Sequence, residues 1–490
     1  MYIQHGRVKD DSVLYLEVAK HFTQGQWAEG LALYKWPFYS FLIASLHNIS
    51  TLPLLICAQV LQVLFFAVFT YSFMRLIKLA GGDIVTISIG GLLIFSSANI
   101  VGISLELLVR DFGFYAFLFF SVGHLIEYSR HSKVTDSLKW QLSMIVATLF
   151  RIEATLYLMV LPLSLLVLKT PTTTRQNIQK YLNANTIIFA IIALLIATSL
   201  VKNDLFLGKF NDVLDAFGSG IDVINNNLQL KADIINDQIL GKYLNQFGML
   251  SITVTLALIT LIKLSSVAGL VPVVGLLANK NCAVKTPNPD VQKLLILVAF
   301  LTSISALYII FYNYVLESRY ILPFGIVIIF FATFSLQDFF KNQPAKTKKI
   351  TLAKTLLLIF IALLTVYNLY KNVAIKRADY NYDQDAVAWI DSHKNPREKV
   401  FYNSERLKYY AGAPFYKHGF DDYQYIHDSI IDNSILMYDY LALSISQSQV
   451  NDIKTLFLTM PRYMLVQEIS GYAGKKRILI YKKQANSTQP

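Results

Sequence analysis

The sequence predicts a polytopic α-helical membrane protein that ends in a small C-terminal α/β soluble domain. Three observations carry this. Of 490 residues, 54% are hydrophobic and only 16% charged, against about 25% charged in an ordinary soluble domain. The mean hydropathy is +0.45, and the apolar residues gather in membrane-length runs between residues 52 and 370. From residue 376 onward, charge returns and the apolar runs shorten to strand length.

The elements follow in order. Residues 1–50 are polar and amphipathic. Asp10, Asp11 and Ser12 take the capping and first-turn positions of a helix whose apolar positions are Val13, Leu14, Val18 and Phe22. Trp36-Pro37-Phe38 opens a semi-apolar approach. Spans are expected at 52–73, 84–104 and 112–127. Residues 140–150 and 154–168 are each short of the roughly 20 residues a crossing needs, and read as a helical hairpin split at Arg151-Ile152-Glu153. Further spans are expected at 184–201, 246–263, 291–312, 320–337 and 350–370, with 266–278 too short to cross. The loop 202–245 carries repeated apolar positions (Leu205, Phe206, Phe210, Leu214, Phe217, Ile221, Ile224, Leu228) and reads as interfacial amphipathic helix.

Residues 376–490 alternate. Gln384–Ser392, Ser404–Tyr410, Asp439–Ser446 and Val450–Met460 read as helices, and Lys399–Tyr402, Tyr463–Val466 and Arg477–Tyr481 as strands. The division is therefore 1–50 as an outer segment bearing the acidic pair, 51–375 as the transmembrane domain, and 376–490 as the α/β domain.

The net charge of +12 does not describe a nucleic-acid surface, because Lys and Arg concentrate in short segments between apolar runs. There they orient a chain in the bilayer. Placing Arg75/Lys78, Arg130–Lys139, Lys169–Lys180, Lys263–Lys293 and Lys341–Lys349 in the cytoplasm involves no conflict. It puts 1–50, Glu106–Asp111, 202–245, Glu317–Tyr320 and everything after residue 371 on the opposite, extracytoplasmic face. An extracytoplasmic start with no span before it suggests a further helix upstream of Met1. Cys57 and Cys282, one in an apolar run and one in a loop, form neither a disulfide framework nor a metal knuckle. Walker A, GxGxxG, HExxH and paired CxxC motifs are all absent. The energy for any reaction must come with the substrate, for example an activated lipid diphosphate.

Four charged groups fall on the outer face, and charge at membrane depth is expensive enough to mark function. Asp10 and Asp11 point about 100° apart on a helix. By motif alone they read first as an N-terminal helix cap with dipole compensation, since acidic pairs at helix starts are common; the alternative is a general base with a neighbouring ion ligand. Glu106, Arg110 and Asp111 form either a self-neutralised cluster or a metal or diphosphate contact; Glu106 and Arg110 pair at i,i+4 if helical. Arg151 and Glu153 read as a buried ion pair or a lipid-phosphate contact. Glu317-Ser318-Arg319-Tyr320 reads as interfacial anchoring or a phosphate grip.

Taken in order and sidedness, these features resemble the GT-C superfamily of polytopic glycosyltransferases. The residues are Asp10-Asp11 with Tyr15, Trp36-Pro37-Phe38-Tyr39, Arg110-Asp111, Arg151-Ile152-Glu153, Arg319-Tyr320 with Leu322-Pro323, and the C-terminal domain. The similarity is to bacterial protein-mannosyltransferase-like and lipid A aminoarabinose transferase-like enzymes. It implies a GT-C-like fold in the bacterial cytoplasmic (inner) membrane, multi-pass, with the active face and C-terminal domain periplasmic. It implies sugar transfer, with inversion, from a polyprenyl-phosphate donor to a glycan, lipid or protein acceptor. Asp10 or Asp11 would be the base. Tyr15, Glu106, Arg110, Asp111, Arg151, Arg319 and Tyr320 would bind substrate, and a divalent metal, if used, would have Asp11 or Asp111 as ligand. The chain departs from the family in lacking the leading transmembrane helix and in carrying Asp-Asp where relatives carry Asp-Glu. Two other readings are a transporter or flippase of lipid-linked glycans, and a non-catalytic membrane assembly factor. The absence of an internal repeat disfavours the transporter.

Overall fold

A computed structural model describes residues 8–167, 173–191, 193–194, 218–277, 288–341, 348–374, 381–415, 422–460, 462–471 and 474–484. The chain divides into two compact units. The first joins the two ends, Met1–Cys57 and Ala374–Pro490; the second is Ala58–Val373.

In the first unit, α1 (Asp10–Thr23) has its N-cap at Lys9 and carries Asp10 and Asp11 in its first turn, where they face the positive helix end. It buries Val13, Tyr15, Leu16, Val18 and Phe22 against α2 (Trp27–Leu33) and α3 (Phe38–Ser50). Thr51, at φ 57°, closes α3 by donating its backbone N–H to the His47 carbonyl at 2.7 Å.

The C-terminal part of this unit is a four-stranded sheet of order β1-β2-β4-β3. The strands are β1 (Val400–Tyr402), β2 (Tyr440–Ser446), β3 (Tyr463–Ser470) and β4 (Lys476–Lys483). β1 and β2 run parallel, and the other pairs are antiparallel. Strand alternation divides the core. Leu441, Leu443, Ile445, Leu479 and Tyr481 pack with Ile426, Ile453 and Phe457 on one face. Tyr440, Ala442, Ile478 and Ile480 pack with Tyr382, Ala386, Ile390 and Leu407 on the other. The sheet is thus covered on both sides. The expected helix 439–446 is in fact β2. Each of its first six residues is buried, and a strand buried on both faces is a continuous apolar run that periodicity cannot tell from a helix. The strands expected around residues 400, 465 and 479 are present, and so are the helices Tyr382–His393, Glu405–Tyr410 and Val450–Leu458.

Among the described residues of the second unit, five helices are long and apolar enough to cross a membrane: α4 (Leu54–Leu79, which begins in the first unit), Asn245–Val267, Pro289–Asn313, Ser318–Lys341 and Thr355–Val373. A sixth is formed if the bent pair of α5 (Ile84–Ser96) and the π-helical Ala98–Ser104, angled by 42°, is one span. This is a polytopic helical membrane protein. The expected span 84–104 is present but broken at Ser97. Backbone freed at a break inside a membrane needs partners, and neighbouring side chains supply them. Asn372 donates to the carbonyls of Phe95 (3.1 Å) and Ser97 (3.4 Å). At the far end of the π-helical piece, Gln62 donates to the carbonyls of Ser104 (3.4 Å) and Leu107 (2.8 Å). The Ser318–Lys341 helix is 83% buried over its apolar window and forms the core of this unit.

At the third expected span stands the helix α6 (Asp111–His131), which is not among those apolar enough to cross, and the expected hairpin is α7 (Val134–Phe150) with α8 (Ala154–Val160) and its continuation to Leu166. The short piece near 266–278 is the helix Leu270–Leu277. Of the 202–245 loop, residues 202–217 lie outside the described residues, and Gly220–Ile235 is the expected amphipathic helix. Of the expected span 184–201, residues 192 and 195–201 also lie outside them.

Candidate functional site

Asp111 opens α6, and Arg151 follows the last residue of α7, where the backbone turns extended. Arg319 lies in the first turn of Ser318–Lys341. Three helix ends thus bring these residues together. The Arg151 side chain is only 3% exposed. It donates to Asp111 and, at 2.7 Å, to Glu153. The other Asp111 oxygen lies 3.9 Å from Arg319, which also pairs with Glu317 at 2.7 Å. One buried carboxylate therefore holds two guanidiniums.

Aromatic rings close the cluster. The Tyr320 ring lies 4.7 Å from the Arg151 guanidinium and 5.3 Å from that of Arg319. The Tyr115 hydroxyl donates to the Arg319 carbonyl at 2.5 Å, which fixes the backbone carrying that arginine. The sequence marked Asp111, Arg151, Arg319 and Tyr320 separately; the structure brings them into one centre. Tyr115 went unmarked because a tyrosine inside an apolar run carries no signal of its partner.

The surrounding packing holds this geometry. Phe150, next to Arg151, is boxed by Phe65 at 5.0 Å and Phe117 at 6.0 Å. A Cβ on Gly113 would stand 2.4 Å from the Phe150 ring. Alanine gains about 1 kcal/mol of helix propensity over glycine, but overpacking costs about 1–3 kcal/mol. Gly113→Ala is therefore expected to lower the unfolding temperature, and Phe150→Leu in the same chain to restore it. A rise in Tm for Gly113→Ala alone would contradict this packing.

The other marked residues lie as follows. Residues 105–110 form an irregular turn, so the helical i,i+4 spacing expected for Glu106 and Arg110 does not apply. Both are half-buried. Asp10, Asp11 and Tyr15 belong to the first unit. Tyr15 is 6% exposed and packs edge-on against Tyr34 and Tyr39. Asp10 forms an ion pair of 3.0 Å with Arg406, which also meets Asp383 at 3.3 Å and the Tyr382 hydroxyl at 2.8 Å. Burial alone would lower the Arg406 guanidinium; Asp383 and Asp10 more than offset it and hold it above its ordinary value, a permanent cation. Nothing in the sequence pointed to Arg406, a lone charge in a short helix far along the chain from its partner.

A divalent metal fits Asp111 poorly, because both its oxygens face guanidiniums. Among the described residues, His124, Glu127 and Asp136 bring ligand atoms together. Arg75 already pairs with Glu127 and stands 2.9 Å from the His124 Nε2, so a cation occupies that place.

The structure is similar to two crystal structures of ArnT from Cupriavidus metallidurans. The one in the apo state is 11% identical, with 91% of this chain and 87% of that chain covered and a TM-score of 0.44. The one bound to undecaprenyl phosphate is 12% identical, with the same coverage and a TM-score of 0.38. No protein-family model matches the chain, and no curated protein matches it.

Proposed function

We propose that this chain is a GT-C-type inverting glycosyltransferase. It moves a sugar from a polyprenyl-phosphate donor to a glycan, lipid or protein acceptor at the outer face of the bacterial cytoplasmic membrane. The observation that supports this most is the Arg151–Asp111–Arg319 centre. Arg151 is fully paired by Asp111 and Glu153, but the second partner of Arg319 is the half-exposed Glu317. A lipid phosphate that exchanged with Glu317 would meet a guanidinium fork already held in place by Asp111, a fork that matches phosphate geometry. The basic-loop pattern and the resemblance described for the sequence support the sidedness and the chemistry.

In this reading, the acceptor hydroxyl attacks the anomeric carbon while an α1 aspartate takes its proton. The bond from that carbon to the phosphate oxygen breaks, and the lipid phosphate leaves with the electron pair. The arginines offset the charge that grows on the leaving oxygen. A single displacement inverts the anomeric centre.

Purified protein given a polyprenyl-phosphate-linked sugar and an acceptor lysate should release polyprenyl phosphate. Arg319→Ala should raise the donor KM on the order of 10- to 100-fold, the value of a charged hydrogen bond. An unchanged donor KM would remove Arg319 from the phosphate site. The broken span at Ser97 is the one observation that favours a transporter. Translocation of a lipid-linked glycan into liposomes without release of lipid phosphate would establish that reading instead.

A further inference from the structure

We infer that the helix α9 (Thr174–Asn183) and the turn between α6 and α7 form a seat for anionic phospholipid headgroups at one surface of the bilayer. The inference concerns the membrane itself and does not depend on the transferase reading.

The long apolar helices fix the depth of this seat. α4 ends at Leu79, and the helix Ser318–Lys341 ends at Lys341. Asp83, just after Leu79, pairs with Lys341 at 2.9 Å and accepts from Gln337 at 2.7 Å, so both helices stop at one level. The end of α6 is tied to the same place, where Arg130 donates to the Leu79 carbonyl at 2.9 Å. Long apolar helices end where the hydrocarbon ends, so the α6–α7 turn lies at the bilayer surface. α9 is fastened to that turn by its last carbonyls. The Ser137 hydroxyl donates to the Asn183 carbonyl at 2.7 Å, and the Trp140 indole to that of Ala184 at 3.0 Å. The Tyr128 hydroxyl donates to the Lys180 carbonyl at 3.2 Å, while the Lys180 ammonium donates to the Ser129 carbonyl at 3.0 Å.

A helix fastened at this level meets the headgroup layer, and its composition suits that layer. Arg175, Ile178 and Leu182 fall at i, i+3 and i+7, on one face, and all three are exposed. α7 adds the exposed Val134 and Leu138, with the exposed Lys133 and Lys139 beside them. The neighbouring carboxylates are committed elsewhere: Asp136 faces His124, and Glu127 pairs with Arg75. Arg175, Lys133 and Lys139 have no carboxylate partner among the described residues. Apolar side chains that dip into the acyl boundary, with cations beside them at phosphate level, describe an interfacial helix on anionic lipid. A zwitterionic headgroup brings its own ammonium and leaves these cations unmatched; an anionic one supplies the missing charge.

The test uses the full chain, purified in detergent with equal parts of phosphatidylcholine and phosphatidylglycerol. Native mass spectrometry should show phosphatidylglycerol retained in preference. Arg175→Gln should lower that preference about fivefold, the value of one cation at a charged lipid surface, and Arg175→Gln with Lys139→Gln should lower it further. Both residues are exposed, so glutamine there leaves the fold intact. Arg397→Gln makes the same change of charge at an exposed residue of the C-terminal domain and should leave the preference unchanged. In bilayer nanodiscs, hydrogen exchange of the α9 amides from Ile178 to Asn183 should be slower with phosphatidylglycerol than with phosphatidylcholine alone, and Arg175→Gln with Lys139→Gln should remove the difference. Equal retention of the two lipids by the parent chain would overturn the inference. So would equal losses in Arg175→Gln and Arg397→Gln, which would mean that net charge alone decides. Loss of the preference on adding inorganic phosphate at constant ionic strength would overturn it too, because the seat would then hold a free anion.

Discussion

Replacing Arg151 with methionine is expected to lower stability by about 3–5 kcal/mol, because it leaves a buried carboxylate without its cation. Asp111 is 5% exposed at its side chain and sits where three helix ends meet. Removing the guanidinium leaves Asp111 with only the longer contact to Arg319 and frees Glu153 as well. A membrane protein with an ordinary margin of about 5–15 kcal/mol loses roughly a fifth of it or more. The measurement is thermal or denaturant unfolding in detergent. The partner substitution decides the cause. Arg151→Met with Asp111→Asn removes both charges and should recover most of the loss, since uncharged pairs of similar volume are often neutral in such places. A single variant as stable as the parent would mean that the pair is solvated. A double variant worse than the single would mean that Arg151 acts through its aromatic contacts.

Leu443→Ala should cost about 2–5 kcal/mol. Leu443 is fully buried in β2, one of the two strands paired on both sides, and packs in the larger of the two clusters of the C-terminal sheet. The loss should appear as protease sensitivity of residues 381–484 and a lowered unfolding midpoint. Leu458→Ala is the control. Leu458 is 81% exposed at the end of its helix, and a surface change of this kind moves stability by about 0.5 kcal/mol or less. Equal effects at the two positions would contradict the two-faced core.

β2 also shows where sequence reasoning stops. Tyr440-Leu441-Ala442-Leu443 offers Leu and Ala, both good helix formers, and the residues that decide otherwise, in β1 and β4, are tens of positions away. The neighbouring strands were legible because Val, Ile and Tyr dominate them. The long spans were legible because bilayer thickness imposes a length on any helix that crosses it. The break at Ser97 was not, because its partner Asn372 looks like an ordinary polar residue in an apolar run.

The site divides in the same way. Asp111, Arg151 and Arg319 could be picked out singly because charge in an apolar stretch is costly. Their meeting at one carboxylate depends on how three helices pack, which no local pattern encodes. Arg406 could not be picked out at all. It lies in a domain where charge is common, and its significance comes from a partner at the other end of the chain.

The joining of the two chain ends in one folded unit has a consequence for counting. A unit with ion pairs, irregular backbone and a sheet must sit in one aqueous compartment, since hydrocarbon cannot satisfy its polar groups. Residues before Cys57 and after Ala374 therefore share a side, and the chain between them traverses the bilayer an even number of times. The five long apolar helices found among the described residues would, by themselves, leave the ends on opposite sides. Parity requires an odd number of additional traverses, and the bent pair at Ser97 is one segment able to supply one.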